Sequence, residues 1–320
     1  MSSAPTAQPP KIGISACLMG EEVRFNGGHK ESRLCSQFLA RHLEFVRVCP
    51  EVGIGLGTPR PTLRLVGDPA APRAVGSRDE RDVSNALRDY GRQTAERLDD
   101  LDGFIFMQKS PSCGLYRVKV YQDNGYPAEG GGRGLFAETF CAARPDLPVE
   151  EEGRLCDPVL RENFLTRVYA HAEWRALQAE GLTRRGILEF HARYKYQLMA
   201  SDPARYRALG RMLGGIGEHH PEELAPRYFS ELMKGLSRCA TRGTHSNVLQ
   251  HLSGYLKDAL SREEKAEMQA LIDKYRAGIV PLVVPMTLLK HHFARHPHPY
   301  IAQQAYLQPH PEDLSLRNAI

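Results

Sequence analysis

The chain has 320 residues, of which 42% are apolar, and its 42 Lys and Arg nearly balance 38 Asp and Glu. That length suits about two domains of roughly 100–200 residues each. The opening MSSAPTAQPPK has no apolar run, so residues 1–10 read as a disordered arm and not as a secretory signal. The most apolar late run, GIVPLVVPM, is too short and too proline-broken to cross a bilayer, so no membrane partner is expected. The expectation is a cytoplasmic protein whose seven cysteines, an odd number, are thiols or metal ligands and not a set of disulfides.

In chain order, KIGISAC is a short β-branched run and predicts a first strand. ESRLCSQFLARHLEF follows, with Leu34, Phe38, Leu39 and Leu43 at helical spacing. FVRVC predicts a second strand, and CPEVGIGLGTPRP after it is a glycine-rich loop. DERDVSNALRDYGRQTAERLDD predicts a helix with Val83, Leu87, Tyr90, Thr94 and Leu98 near one face. GFIFMQK predicts a third strand, RVKVY is a candidate fourth, GGRGLFAETFCAARP is a helix after a flexible glycine turn, and LPVEEE is a last strand. This alternation argues an α/β N-terminal domain with a mostly parallel sheet over residues 11–157.

From about Asp157 the apolar residues recur at three and four. ILEFHARYKYQLMA places Ile187, Phe190, Tyr194 and Leu198 on one face, and DPARYRALGRML opens with an Asp cap and a first-turn Pro. Further helices are expected near 222–239, 245–259, 261–277 and 286–295, which makes residues 158–320 an all-α C-terminal domain. Residues 1–160 hold 20 Lys and Arg against 22 Asp and Glu, and residues 161–320 hold 22 against 16. The net +6 of the second half suits either an ordinary solvated helical surface or a polyanionic partner.

Cys17, Cys49 and Cys113 each follow the carboxyl end of a predicted strand, in contexts rich in Gly, Pro and Ser. In open α/β sheets those ends lie on one edge, where ligands bind. Cys35 and Cys141 lie inside helical patterns and read as core, while Cys156 and Cys239 carry no pattern. Three thiolates suit zinc, copper(I) or an iron–sulfur cluster. Structural zinc usually takes four ligands in close pairs such as C-x-x-C, and no such pair exists here. Three separated cysteines suit a 4Fe-4S cluster with one iron left open.

The strings SACLMGEEVRFNG, VCPEVGIGLGTPRP and KSPSCG together resemble the thiouracil desulfidase family over roughly residues 11–155. FHARYKYQLMASDPARYRALGRML and YIAQQAYLQPHPEDLSLRN resemble the helical domain often fused to it, in the arrangement of tRNA 4-thiouridine desulfidases. The resemblance implies a 4Fe-4S cofactor on Cys17, Cys49 and Cys113. It also implies a reaction that replaces a thiocarbonyl sulfur by oxygen without net electrons. Glu51, two residues after Cys49, is the expected base for the attacking water, in apolar surroundings. Ser110 and Ser112 are candidates to orient the water or the pyrimidine, with ordinary turn chemistry as the bland reading. Lys109 and Arg60 are weaker candidates for a phosphate or the substrate carbonyl.

Arg184, Arg185, Arg193, Arg207 and Arg211, interleaved with tyrosines, form the expected nucleic-acid-binding set. The substrate would be tRNA or a free thiolated pyrimidine. The competing reading is an iron–sulfur electron carrier or redox sensor with an RNA-binding helical domain.

Overall fold

The computed structural model describes residues 8–311, Leu314 and Arg317. Residues 1–7 of the expected arm lie outside the described residues. The chain divides into two compact units, one of them Gln8–Cys156 and the other beginning at Asp157.

The first unit is built on two sheets. Strands β1 (Lys11–Ser15), β2 (Glu44–Val48), β5 (Gly103–Phe106) and β7 (Val149–Glu151) form a four-stranded sheet in the order β2-β1-β5-β7, with every pair parallel. Strands β3 (Leu63–Val66), β4 (Arg73–Gly76) and β6 (Val120–Tyr121) form a smaller sheet in the order β4-β3-β6. There β3 runs antiparallel to β4 and parallel to β6. The helices are α1 (Pro50–Gly53), α2 (Ser84–Arg97) and α3 (Leu135–Ala143). This is the α/β domain with a mostly parallel sheet that the alternating pattern implies.

Two readings of the pattern are corrected. Residues 31–45 are not one helix: a π-type turn over Leu34–Phe38 and a 3-10 turn over Leu39–Arg41 fill the short span before β2. Cys35, Leu39 and Leu43 are buried all the same, so the apolar spacing reported burial and not helix length. The glycine-rich stretch after Cys49 begins with one helical turn, α1, followed by Gly55 at φ +81.

The core of this unit is aromatic. Phe104 and Phe106 of β5 stack at 4.1 Å, and Phe140 of α3 meets Phe104 edge-on at 5.0 Å. Cys113 belongs to the same buried cluster, so the loop that carries it rests directly on the core.

The second unit is helical: α4 (Pro158–Glu180), α5 (Arg184–Ser201), α6 (Pro203–Gly214), α7 (Pro221–Leu236), α8 (Arg242–Ser253), α9 (Arg262–Arg276), α10 (Val283–Arg295) and α11 (Pro299–Ala302). Its helix starts follow from sequence. Asp202 accepts hydrogen bonds from the backbone N–H groups of Ala204 and Arg205 ahead of Pro203, and Ser261 with Glu264 forms a capping box. Ile187, Phe190, Tyr194 and Leu198 are buried around Trp174, whose ring stacks on Phe229 at 4.9 Å. No helix among the described residues is long and apolar enough to cross a membrane.

Candidate active site

β1, an inner strand of the larger sheet, gives way to a 3-10 turn, Ala16–Met19, that holds Cys17. β2 ends at Val48, so Cys49 immediately follows it and caps α1. β5 leads through residues 107–112 to Cys113. Because β2, β1 and β5 are neighbours, their carboxyl ends bring the three cysteines to one cavity of about 360 Å³. Cys35, Cys141, Cys156 and Cys239 do not line it.

Burial pushes the Cys17 thiol up to about 11, with Cys49 adding to the effect. Burial likewise raises Cys49, opposed by the backbone N–H groups of Val52 and Glu51. It holds Cys113 well above the usual thiol range, against a hydrogen bond from the Ser15 hydroxyl. The core thiols Cys35 and Cys141 are also raised to about 11 by burial, so acidity does not separate the two groups. Common access to one cavity does. Protons must leave these thiols before they ligate a metal. Among the described residues no three His, Cys, Asp or Glu side chains converge to hold a single metal ion. Three thiols that line one cavity have the donor chemistry that soft metals and iron–sulfur groups take.

Glu51 lines the same cavity, but not in apolar surroundings. Arg60 donates to its Oε2 from Nη2 at 2.5 Å and from Nε at 2.9 Å. The guanidinium is 6% exposed and is fixed further by the carbonyls of Val23 and Gly57 and by Thr58 Oγ1. Arg60 is therefore the partner of the carboxylate, held by a two-pronged charge-assisted bond.

The two serines divide their tasks. Ser112 is fully buried, and its hydroxyl donates to Glu51 Oε1 at 2.9 Å. Ser110 lines the cavity, and its Oγ accepts from the backbone N–H groups of Ser112 and Cys113. Its hydroxyl oxygen therefore does the turn work that Ser next to Pro suggests, and it positions Cys113.

The glycine turn at 130–134 is more than flexible. Gly134 opens α3 against the Cys113 loop, where a Cβ would stand 2.5 Å from the Ser112 carbonyl carbon and oxygen and 2.8 Å from the Cys113 nitrogen. Gly134 N donates to Gly114 O, and Ala137 N donates to Ser112 O. Glu151, at the end of β7, accepts from the N–H groups of Leu115 and Tyr116 on the far side of the same loop. Sequence reading missed Ser15, Gly134 and the pairing of Arg60. Only Gly134 left a local signal, as a glycine immediately before a helix.

The residues expected to bind nucleic acid lie in the helical unit and are mostly engaged. Arg184 donates to the His219 carbonyl, Arg185 pairs with Glu189, and Arg193 pairs with Glu173. No ion pair or hydrogen bond to a described residue holds the side chains of Arg207 and Arg211. Tyr194, expected on the apolar stripe, is buried and donates to Glu173 Oε2.

Residues 12–152 match the family model described as 2-thiouracil desulfurase, and residues 195–311 match a family of unknown function, DUF1722. The chain thus carries a 2-thiouracil desulfurase family domain followed by a DUF1722 domain. The uncharacterised protein YbgA of Escherichia coli K12 is 32% identical over 49% of this chain and 94% of its own length. The uncharacterised protein YbbK of Bacillus subtilis 168 is 28% identical over 32% of this chain and 72% of its own. A solved structure titled [4Fe-4S]-dependent thiouracil desulfidase TudS aligns over 46% of this chain and 93% of that one, at 28% identity and a TM-score of 0.36. The model for the desulfurase family spans Cys17, Cys49, Glu51 and Cys113.

Proposed function

We propose that this desulfurase-family protein is a non-redox desulfidase. It replaces the thiocarbonyl sulfur of a thiolated pyrimidine by oxygen, and its substrate is 4-thiouridine in tRNA. The observation that carries the reading is one cavity lined by three thiols from three adjacent strand ends together with Glu51. In the reaction one thiocarbonyl and one water give one carbonyl and one hydrogen sulfide. The carbon–sulfur double bond is exchanged for a carbon–oxygen one, and both water protons leave with the sulfur. The step balances without an oxidant or reductant. Cys17, Cys49 and Cys113 would hold a 4Fe-4S cluster. Such a group supplies an open, soft Lewis-acidic position that polarises a C=S bond.

The chain's own residues do the rest. Glu51 takes the proton from the attacking water, using a lone pair left over from its bonds to Arg60 and Ser112. Arg60 and Ser112 fix the direction of its two oxygens. Ser110 and Ser15 set the position of Cys113. The helical unit contributes contacts to the tRNA, for which Arg207 and Arg211 have their charges free.

The test is anaerobic turnover with no added reductant, on 4-thiouracil, 4-thiouridine and thiolated tRNA. One sulfide released per uracil or uridine formed is the expected result. A cluster-loaded protein that exchanges electrons yet releases no sulfide would be an electron carrier instead.

A further inference from the structure

A second groove, of about 640 Å³, opens beside the thiol cavity on the small sheet of the α/β unit. The two share Thr62, Leu63, Lys109 and Pro111 as lining, so one runs into the other. Arg64, Lys109, Arg117 and Lys119 line this groove, and no Asp or Glu does. None of the four has an ion-pair or hydrogen-bond partner for its side chain among the described residues. All four are exposed.

The local structure gathers these charges at a cost. β3 pairs with β6 in the register Leu65↔Val120, and both of those residues are buried. Arg64 on β3 and Lys119, the residue just ahead of β6, therefore turn to the opposite, open face side by side. Like charges on neighbouring strands about 4.8 Å apart repel. Only three non-glycine residues take a positive φ among the described residues, and Lys109 (φ 60) and Arg117 (φ 53) are two of them. Backbone in that region carries strain that surrounding structure must hold in place. At Arg117 the holding contact is Gly131, where a Cβ would lie 2.8 Å from the Arg117 carbonyl carbon. The Val118 and Gly132 backbones lock it further through hydrogen bonds of 3.0 and 2.7 Å.

We propose that this groove binds the phosphodiester backbone of an RNA strand while the thiolated base enters the thiol cavity. The inference rests on the desulfidase reading above and places an RNA contact on the unit that holds the cavity. Four unpaired cations along one groove exceed what a single phosphate needs and suit several successive phosphates. Tyr121, also in the lining, offers a ring to a neighbouring base. A free thiobase carries no phosphate and would leave the groove untouched.

The experiment measures the affinity of the cluster-loaded full chain for thiolated tRNA and for 4-thiouridine 5′-monophosphate across salt concentrations. Arg64→Glu with Lys119→Glu should weaken tRNA binding at least tenfold. It should also flatten the salt dependence, by about 0.7 per lost contact if the strand is single. A matched reversal elsewhere on the same unit, Arg41→Glu with Arg78→Glu, should change neither. Arg64→Lys with Lys119→Arg should bind as wild type, which separates charge from folding. The proposal is overturned if the groove variant keeps wild-type tRNA affinity and salt slope, or if the matched reversal weakens binding equally. It is also overturned if only the mononucleotide loses affinity, since the groove would then hold a single phosphate. Binding needs no turnover. A wild-type protein that desulfurates nothing would sink the function proposed above and leave this measurement decisive.

Discussion

Arg60 in the α/β unit and Arg317 in the helical unit are both largely buried arginines facing a glutamate, and they are satisfied to different degrees. Arg60 donates to Glu51, Val23, Gly57 and Thr58, and Ser112 occupies the other oxygen of Glu51. Arg317 donates from Nε to Glu162 Oε1 at 2.7 Å and from Nη1 to the Tyr306 carbonyl. Its Nη2 and Glu162 Oε2 have no partner among the described residues, and neither do Tyr275 OH and His310 Nε2. A fully bonded polar network fixes side-chain directions, whereas a partly bonded one mainly costs stability. The first network therefore fixes the direction of the Glu51 oxygens, and the second leaves buried polar atoms at a cost in stability.

The sharpest test of this contrast is removal of a cavity thiol. Cys17→Ala, Cys49→Ala or Cys113→Ala is expected to abolish iron binding and turnover, measured by iron and sulfide content and by visible absorption. Cys35→Ala, buried but outside the cavity, should cost on the order of 1 kcal/mol in stability and keep both. Retention of iron and activity in Cys113→Ala would break the assignment.

Acid should act on the helical unit. Burial holds His191 down to about 4, helped by Lys195. It holds His245 down to about 4, with Arg317 acting the same way and Glu162 opposing. His310 is lowered by burial against Glu162. The folded values of His191 and His245 lie below the unfolded one of about 6.5, and His310 is shifted the same way, so as pH falls from 6.5 towards 4 the unfolded chain takes up protons that the native chain refuses. Stability is therefore complete above about pH 6.5 and falls as pH drops towards 4, by up to about 1.4 kcal/mol per pH unit for each histidine. Glu162, whose folded pKa is depressed by Arg317 and His310 despite burial, adds to the loss below about pH 4.5. Trp174 is the chain's single tryptophan and sits in the helical core, so its fluorescence reports this unit selectively. A Trp174 melting temperature equal at pH 7.5 and pH 5 would refute the acid-sensitive reading.

Within the cavity, Glu51→Gln should lower turnover about 100-fold or more while the iron content stays. Stability should fall as well, because Arg60 would remain buried without its counter-charge. Near-full turnover in Glu51→Gln would move the base elsewhere.

These contrasts were legible in the sequence to unequal extents. That Cys17, Cys49 and Cys113 meet was readable, because strand ends are local features and parallel sheets collect their carboxyl ends on one edge. The small sheet was not: β3 and β4 are four residues each, set among Gly and Pro, and β6 pairs with β3 across more than fifty positions. The basic groove was hidden with it, since Arg64 and Lys119 become neighbours only through that pairing. Summing charge over each half averaged the groove away. Gly134 was read as slack because its close neighbours, Ser112 and Cys113, are distant in sequence.

The smallest expected effect belongs to Ser112. Its hydroxyl touches Glu51 Oε1 at 2.9 Å and does not line the cavity, so it acts through Glu51 and not on substrate. Ser112→Ala removes one donor to a carboxylate that Arg60 still grips at Oε2. A hydrogen bond to a charged group contributes about 1.5–3 kcal/mol, part of which water in the cavity can replace. About a tenfold fall in kcat is therefore expected, with KM within twofold and the iron content unchanged. A purely structural role would lower protein yield or iron content alongside activity. The double variant decides between them. If Ser112 works by aiming Glu51, then adding Ser112→Ala to Glu51→Gln should cost almost no further turnover, because there is no carboxylate left to aim. A further tenfold loss in that background would mean that the hydroxyl acts independently of Glu51.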